Sequence, residues 1–301
     1  YTFINNLSSQ PDIIHSTFFA SDCLALYLQS RYFQNAKIIT TIHNLGSHQN
    51  KLKKKFHYHL LSQFDHVIAV SEAVKTNVIH LQPKIRNISV IHPSVIKATT
   101  TYSKKEKHTH KQKLCAELHI DEKTIILVAI GRLHPVKNIS KLIEVMKYIE
   151  NFPIALLIYG TGALENDLKK QVLQNKQENI YFMGFTNDIA YVLQAADMYI
   201  SLSHSEAFPQ VVLEAGANTC PVFHSDVGGI KEIITDSENG FLCSCFDTPE
   251  QIAQRVQRIF LQPVLLKTVT QNLQKKIEQH FTVSMMIKQN MNVYEKRLGN
   301  L

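Results

Sequence analysis

Short apolar runs alternate with longer amphipathic stretches along most of this 301-residue chain. The short runs are rich in Ile, Val and Leu and predict buried strands, whereas the stretches between them have helical spacing. Alternation of strand and helix predicts parallel sheets with crossover helices, and therefore an α/β fold. The predicted strands cover residues 12–15, 37–42, 66–70, 88–91, 125–130, 154–159, 180–183, 198–202 and 222–223.

Helix signals fall between these strands. Residues 22–32 predict an amphipathic helix, and residues 51–63 predict a second helix. Ser71 is placed to cap a third, because a serine side chain can accept a hydrogen bond from the first turn. The stretch 97–113 is rich in Lys, Thr, Ser and His and predicts a solvated linker between domains.

The composition is that of a globular protein with about two domains, with 45% hydrophobic residues. No apolar run approaches the roughly 18 residues of a membrane span. The five cysteines include no C-x-x-C pair, which fits a reducing cytoplasm and argues against a disulfide framework or a zinc site. No signal peptide is evident. The first residue is not Met, so a processed or truncated amino terminus is an open alternative.

A formal net charge of +7 suggests an anionic partner: nucleic acid, a phosphate-bearing ligand or an anionic membrane. Lysines cluster in 51–55 and again in 104–113. No helix-turn-helix, RNP or zinc-finger pattern accompanies them, so a nucleic-acid role has little support. The first cluster fits either a basic helix that contacts lipid peripherally or an ordinary solvated face.

Two carboxylates, Glu206 and Glu214, are separated by seven residues. The strand 198–202 precedes them, and Pro209 suits the first turn of a following helix because its missing N–H would have no partner there. Glu206 is therefore predicted in a loop at the carboxyl edge of a sheet, where open α/β folds bind ligands. Glu214 is predicted about two turns along the helix.

This pattern, with Phe208 and Pro209 between the glutamates, resembles the E-x7-E signature of retaining GT-B glycosyltransferases, particularly family 4 (glycosyl transferases group 1). The resemblance implies two Rossmann-like domains with the active site between them. It also implies that Glu206 meets the donor sugar, that Glu214 meets the nucleotide ribose, and that Phe208 and Pro209 belong to the donor site.

The resemblance also suggests domain boundaries. It implies an acceptor-side domain over 1–96, a linker over 97–113, a nucleotide-sugar-binding domain over 114–275 and a helix over 276–301 that crosses back to the first domain. No Gly-rich loop opens the first domain, and roughly two βαβ units are missing from it. The first domain is therefore expected to be truncated, either because the sequence is a fragment or because the chain has diverged from the family.

A cationic motif, Gly131-Arg132-Leu133-His134-Pro135-Val136-Lys137-Asn138, follows the strand 125–130. It is similar to the family element G-R-x4-K, in which the Arg and the Lys bind the donor diphosphate. Such chemistry needs cations because the departing nucleoside diphosphate gains negative charge. The resemblance therefore assigns Arg132 and Lys137 to the leaving group.

Glycines follow two further predicted strands. Gly160 and Gly162 match the family's G-x-G turn, although a tight turn alone would also favour Gly there. A dinucleotide site is disfavoured because Glu165 replaces the third Gly of G-x-G-x-x-G. Gly184 and Phe185 match the family loop beside the nucleotide base.

The segment 226–232 matches a family turn beside the diphosphate, where Gly228 and Gly229 let the backbone approach the ligand. One nearby segment departs from the family pattern. The segment Asn218-Thr219-Cys220-Pro221 stands in place of the usual C-G-x-P. This replacement is expected to alter the backbone geometry close to the site.

His43, at the end of the strand 37–42, matches the family His beside the transferred sugar. A structural hydrogen-bonding role is the alternative. The other histidines, including His15, His92 and His134, fit structural or surface roles, and no metal-ligating spacing occurs among the 15.

The resemblance thus implies a retaining, metal-independent hexosyltransferase that uses a UDP- or GDP-sugar as donor, without a separate cofactor. By analogy, the acceptor is a surface glycan or a lipid-linked saccharide. Two alternatives are open: a non-catalytic nucleotide-sugar-binding chain, and a sugar-nucleotide epimerase, which the E-x7-E spacing disfavours. The truncated first domain predicts nucleotide binding with weak or absent transfer.

Overall fold

Strands and helices alternate along the chain as the sequence predicts, and every paired strand is parallel to its neighbours. The computed structural model describes residues 10–45, 51–95, 104–149 and 152–299, without the side chains of 51–54 and 104–105. The strands are β1 (Ile13–Thr17), β2 (Lys37–Ile42), β3 (His66–Ala69), β4 (Ile88–Val90), β5 (Ile125–Ile130), β6 (Ile154–Tyr159), β7 (Ile180–Gly184), β8 (Met198–Ser201), β9 (Val222–Ser225) and β10 (Phe241–Cys243). The helices are α1 (Phe18–Arg31), α2 (Lys51–Leu61), α3 (Glu72–Leu81), α4 (Lys104–Leu118), α5 (Ile139–Met146), α6 (Glu165–Gln174), α7 (Ile189–Ala195), α8 (Gln210–Ala217), α9 (Ile230–Ile233), α10 (Pro249–Phe260), α11 (Pro263–His280) and α12 (Val283–Leu298).

The chain divides into two compact units. Unit 1 comprises Tyr1–Pro93 and Val283–Leu301, so α12 belongs to it, and unit 2 comprises Ser94–Thr282. Unit 1 contains a four-stranded sheet in chain order, β1-β2-β3-β4. Unit 2 contains a six-stranded sheet of order β10-β9-β8-β5-β6-β7. The predicted α/β class with parallel sheets is confirmed.

The strand order of unit 2 reverses beside β5. From β5 the chain adds β6 and β7 on one side, and it then returns to place β8 on the other side. Such a reversal opens a crevice at the carboxyl ends of the two central strands, which is where open α/β sheets bind ligands. The loops after β5 and β8 therefore border the crevice.

Buried apolar side chains pack the helices against each sheet. In unit 2 every residue of β6 is buried, and it packs in a large cluster with α5 and α10. In unit 1, Ile39, Ile68 and Ile91 form a smaller buried cluster. Met286, Val293 and Tyr294 of α12 pack against that cluster, which explains why α12 belongs to unit 1.

Two local expectations need correction. The predicted linker 97–113 is helical from Lys104 onward, because α4 contains no Gly or Pro and its Lys111 Nζ lies 2.6 Å from Asp197 Oδ2. The helix predicted over 22–32 begins at Phe18, and it is not simply amphipathic. Asp22 faces the interior, while Leu24 and Tyr27 are exposed.

Asp22 tolerates burial because three side chains satisfy its carboxylate. Ser16 Oγ and Thr40 Oγ1 donate hydrogen bonds to Oδ1 at 2.7 and 2.6 Å, and His57 Nε2 lies 2.7 Å from Oδ2. The network joins β1, β2, α1 and α2, a set of contacts that helical periodicity alone does not reveal.

Other predictions have mixed outcomes. Ser71 caps α3 as predicted, since its Oγ accepts a hydrogen bond from the Val74 backbone N–H at 3.1 Å. The lysines at 51, 53 and 54, proposed to face lipid, lie outside the described side chains. The three-residue strand β10 was missed. Among the helices that the structure describes, none is long and apolar enough to cross a membrane.

Candidate functional site

The loops that border the crevice of unit 2 bring two predicted site residues together. Lys137 ends a 3₁₀ turn after β5, and Glu206 lies in the loop after β8. The Lys137 Nζ lies 2.7 Å from Glu206 Oε1, with side-chain exposures of 27% and 12%. Partial burial of both groups makes this pair less screened by solvent than a surface ion pair. The cationic motif and the first glutamate of the E-x7-E pair therefore meet at one point.

Backbone hydrogen bonds hold a third loop beside this ion pair. His204 N–H donates to Val136 O at 2.8 Å, joining the loop after β8 to the turn after β5. Gly229 N–H donates to Glu206 O at 3.1 Å, joining the loop after β9. Gly228 has a φ of +58°, a conformation that favours glycine. The glycine part of the predicted turn 226–232 thus lies against the Glu206 loop.

Glycines directly after β5 and β6 and at the last position of β7 allow the backbones of these strands to approach closely. Gly131 N–H donates to Tyr159 O at 3.0 Å, and Gly160 N–H donates to Gly184 O at 2.7 Å. A Cβ atom on Gly160 would overlap the Gly131 carbonyl, and one on Gly162 would overlap the carbonyl of Leu133. A side chain at either position would clash with a neighbouring backbone carbonyl. This explains why both outer positions of the G-x-G turn are glycine.

A cavity of about 370 Å³ opens beside these turns. Arg132 and Phe185, both exposed, contribute to its lining, together with Ile189 and Val211. Gly184, with a φ of +70°, turns the chain between β7 and Phe185. The structure therefore places the predicted cation Arg132 and the predicted base-side residue Phe185 around one space.

A second cavity of about 430 Å³ adjoins the first, because Ile189 lines both. Glu214 of α8 lines it, and Val211, three residues earlier on the same face of the helix, lines the first cavity. Oε2 of Glu214 is buried and has no hydrogen-bond partner among the described residues. Burial raises the pKa of this carboxyl group, since low polarity disfavours its charged form. An unsatisfied acceptor at a cavity is suited to a ligand hydroxyl.

Phe208 and Pro209 shape the loop between the two glutamates. Both are buried, and the Phe208 ring packs on Phe281 with centroids 5.6 Å apart. Pro209 precedes the first residue of α8 as its N-cap, one position earlier than predicted. These contacts fix where α8 begins and hence where Glu214 lies.

A buried histidine near the ion pair was missed by the sequence reasoning. His224 of β9 is completely buried, and its Nδ1 lies 2.7 Å from Ser225 O. Burial lowers the pKa of His224, while the nearby charge of Glu206 partly offsets this. The signal in the sequence was a histidine inside an apolar strand.

A second missed feature explains the departure from the family's C-G-x-P pattern. Thr219, which stands where the family has Gly, has a φ of +52°. The Nζ of Lys107 in α4 donates to Thr219 Oγ1 and to the carbonyls of Asn218 and Thr219. A cation at these carbonyls also suits the negative end of α8. Lys107 therefore supports a turn that glycine would adopt without strain.

Unit 1 has its own cavity, of about 390 Å³, at the carboxyl ends of its strands. His43 and His15 line it. His15 Nδ1 lies 2.6 Å from the Tyr294 hydroxyl, and its Nε2 lies 2.7 Å from Thr41 Oγ1. Partial burial lowers the pKa of both imidazoles, and the charge of His43 adds to the effect on His15. His15, predicted to be structural or superficial, thus lines the same space as His43.

The unit 2 groups are chemically suited to a phosphorylated polyol. Arg132 and Lys137 supply positive charge, and the carboxylates of Glu206 and Glu214 can accept hydrogen bonds from hydroxyl groups. Within the described ranges, no group of three or more His, Cys, Asp or Glu is placed to hold a metal ion.

Family comparisons agree along both units. The family model for glycosyl transferases group 1 matches residues 110–279, more than half of the chain. The model for glycosyltransferase family 4 matches residues 3–97.

The individual relatives have low sequence identity to this chain. N-acetyl-alpha-D-glucosaminyl L-malate synthase of Bacillus anthracis is 25% identical over 292 residues, covering 94% of this chain and 74% of that protein. UDP-Gal:alpha-D-GlcNAc-diphosphoundecaprenol alpha-1,3-galactosyltransferase of Escherichia coli is 30% identical over 172 residues, or 55% of this chain. The chain spans only 44% of the length of the latter.

Solved structures share the fold. Anabaena HepE in complex with UDP and glucose has a TM-score of 0.84 at 20% identity, over 94% of this chain and 77% of its own. A glycosyltransferase from Rickettsia africae has a TM-score of 0.81 at 23% identity, over 96% and 78%. The predicted GT-B architecture is confirmed by these matches.

Proposed function

The chain belongs to the glycosyl transferases group 1 family and is therefore a glycosyltransferase, and from that premise we propose that it transfers a hexose from a nucleoside-diphosphate sugar with retention of configuration. The Lys137–Glu206 ion pair carries the proposal. It places a cation suited to phosphate and a carboxylate suited to sugar hydroxyls at the switch point of a parallel sheet, where such folds bind ligands. An ion pair that served only to stabilise the fold would not need to lie at the switch point of the sheet.

The donor occupies the two adjoining cavities of unit 2 in this proposal. Phe185 lies at the nucleobase, and the Glu214 carboxylate accepts hydrogen bonds from the ribose. The Gly160–Gly162 turn and the Gly228–Gly229 turn let backbone atoms approach the diphosphate. The HepE complex with UDP and glucose, and the UDP-Gal in the name of the Escherichia coli relative, make a UDP-sugar the first donor to test, with GDP-sugars second.

Charge stabilisation of the leaving group is the main chemical task. As the glycosidic bond to phosphate breaks, negative charge grows on the diphosphate. Lys137, held in advance by Glu206, stabilises that charge together with Arg132. Glu206 orients the hexose. The departing phosphate accepts the acceptor proton, so no side chain serves as the base. With two cations supplied by the chain, transfer is expected to continue in the presence of a chelator.

The acceptor in this proposal is a surface glycan or a lipid-linked saccharide, presented at the cytoplasmic face of an anionic membrane. The net charge of +7 supports peripheral contact with such a face. All five cysteines are free, in keeping with a reducing compartment.

A donor and acceptor screen tests the function. Purified protein is incubated with UDP- and GDP-hexoses, with and without octyl glycosides, in buffer with and without EDTA. Acceptor-dependent release of nucleoside diphosphate is expected, and proton NMR of the product should show the anomeric configuration of the donor. An inverted product would refute retention, and loss of activity in EDTA would refute metal independence.

Two other outcomes would identify rival functions. Nucleotide binding by calorimetry with no turnover of any donor would indicate a non-catalytic binding chain. Acceptor-independent conversion of one nucleotide sugar into its epimer would indicate an isomerase. The Lys137→Ala variant serves as the negative control for each reaction.

A further inference from the structure

The first residue of α1 has an unusual backbone conformation. Phe18 has a φ of +67°, a region in which bulky residues are genuine outliers. Its side chain gains little from burial in return, since 60% of it is exposed. A strained backbone that presents an apolar ring to solvent needs an explanation other than stability of the fold.

The Phe18 ring lies next to the His43 imidazole. Their centroids are 5.7 Å apart, and the ring planes are tilted by 33°. Thr17, the preceding residue, lines the unit 1 cavity together with His15 and His43. The exposed aromatic face therefore borders a space whose lining offers hydroxyl and imidazole groups for hydrogen bonds.

We propose that Phe18 is the stacking platform for the acceptor saccharide, holding one pyranose ring against the unit 1 cavity. The inference rests on the proposed function, which requires an acceptor, and adds a residue that determines acceptor specificity. One face of a pyranose carries several C–H groups, which are attracted to the negative face of an aromatic ring. The hydroxyls at the edge of the same sugar then reach Thr17 or His43.

The charge state of the cavity suits a neutral sugar. Partial burial lowers the pKa of both His15 and His43, so both imidazoles are mainly neutral near pH 7. Neutral imidazole can both donate and accept a hydrogen bond, which matches a hydroxyl group. A pocket built for an anionic acceptor would favour protonated histidines or lysines.

Replacement of Phe18 by glycine separates function from stability. Glycine adopts positive φ readily, so Phe18→Gly should unfold at a temperature at least as high as wild type while the acceptor KM rises about tenfold. Phe18→Tyr should keep a near wild-type acceptor KM. Affinity for UDP, measured by calorimetry, should not change in either variant. A lower unfolding temperature with an unchanged acceptor KM would show that Phe18 is structural and would overturn the proposal.

A fluorescence experiment tests binding without requiring turnover. The chain has no tryptophan, so Phe18→Trp introduces a single indole at the proposed platform. Octyl glycosides of glucose, galactose, N-acetylglucosamine and glucuronic acid are titrated in the presence of UDP. Saturable change in indole emission with at least one glycoside supports the proposal, even if no donor is ever turned over.

Tyr27→Trp provides the matched control. Tyr27 is another exposed aromatic residue of α1, nine residues later and therefore on roughly the opposite face of the helix. Its replacement should report no saturable change. No response from Phe18→Trp with any glycoside, or equal responses from both variants, would overturn the proposal.

Discussion

The partly buried pair of Lys137 and Glu206 has a close counterpart on the surface of unit 2. Lys169 and Glu165 also lie 2.7 Å apart, but their exposures are 47% and 32%, and they pair within one helix. Only the first pair borders the crevice. Removing Lys137 should therefore lower turnover by about 10²-fold or more, because the charge that stabilises the leaving diphosphate is lost. Lys169→Ala should leave turnover unchanged.

Steady-state kinetics at saturating donor measure this difference. Since Lys137→Ala also leaves the Glu206 carboxylate without its cation, unfolding midpoints are compared to confirm that the variant is folded. Equal turnover in Lys137→Ala and Lys169→Ala would show that Lys137 has no role in the reaction.

Glu214, which we propose to bind the ribose, illustrates how a residue kept for binding can reduce stability. Burial raises its folded-state pKa above the ordinary 4.5, so the folded protein retains this proton to higher pH than the unfolded chain does. The contribution of Glu214 to the free energy of unfolding therefore falls as pH rises from about 4.5 through the folded-state pKa. Glutamine does not titrate. The stability of Glu214→Gln relative to wild type should increase with pH over this range.

Denaturant unfolding at pH 4, 5, 6 and 7 checks the trend, and calorimetry with UDP checks the predicted loss of nucleotide affinity. Glu178→Gln, at an exposed position, is the control variant. A difference between Glu214→Gln and wild type that stays constant with pH would argue against a raised pKa.

At the scale of elements, the glycines at the carboxyl ends of β6 and β7 differ in what a side chain would meet. A Cβ on Gly160 would overlap the Gly131 carbonyl, whereas one on Gly184 would have no atom within 4 Å. Both have positive φ. Gly184→Ala should then cost about 1–2 kcal/mol of unfolding free energy from backbone strain alone. Gly160→Ala should cost clearly more, since two strand ends must separate.

Urea unfolding of both variants measures the difference, with hydrogen exchange at β5 and β6 as a local readout. Similar costs for the two alanines would mean that the backbones separate easily, and that close approach does not explain the G-x-G turn.

At the scale of the molecule, unit 1 depends on a helix that is distant in sequence. Truncation after Thr282 removes Met286, Val293 and Tyr294 from the Ile39–Ile68–Ile91 cluster. Loss of three partly buried side chains should destabilise unit 1 by about 3 kcal/mol or more. Amide hydrogen exchange should increase in β1 to β4 while UDP binding by unit 2 persists.

His66 supplies a second measurement of the same change. Burial, with Arg297 and Lys296 of α12, lowers its pKa to about 4. Removal of α12 should raise the pKa of His66 toward 6.5, and an NMR titration of the His66 ring measures this change. Ile287→Ala, at an exposed position of α12, is the control and should alter neither exchange nor the pKa of His66. An unchanged exchange pattern after truncation would show that α12 contributes little to unit 1.

Local sequence determined most of the elements and the identity of the family. The strands β5 and β6 have the bounds that their apolar runs predict, because a parallel strand buried on both faces is apolar along its length. The motif residues Arg132, Lys137, Glu206 and Glu214 could also be placed on loops or helices from the sequence. Each of these features depends on neighbours along the chain.

Tertiary structure decided which groups meet. Lys137 pairs with a residue 69 positions away, Thr219 is supported by a lysine 112 positions away, and Asp22 faces inward because His57 lies opposite it. Periodicity assigns a side chain to one face of an element, but not to a partner on another element. The strain at Phe18 is likewise invisible in sequence, since phenylalanine rarely adopts positive φ and nothing local requires it there. Packing of distant elements sets these contacts.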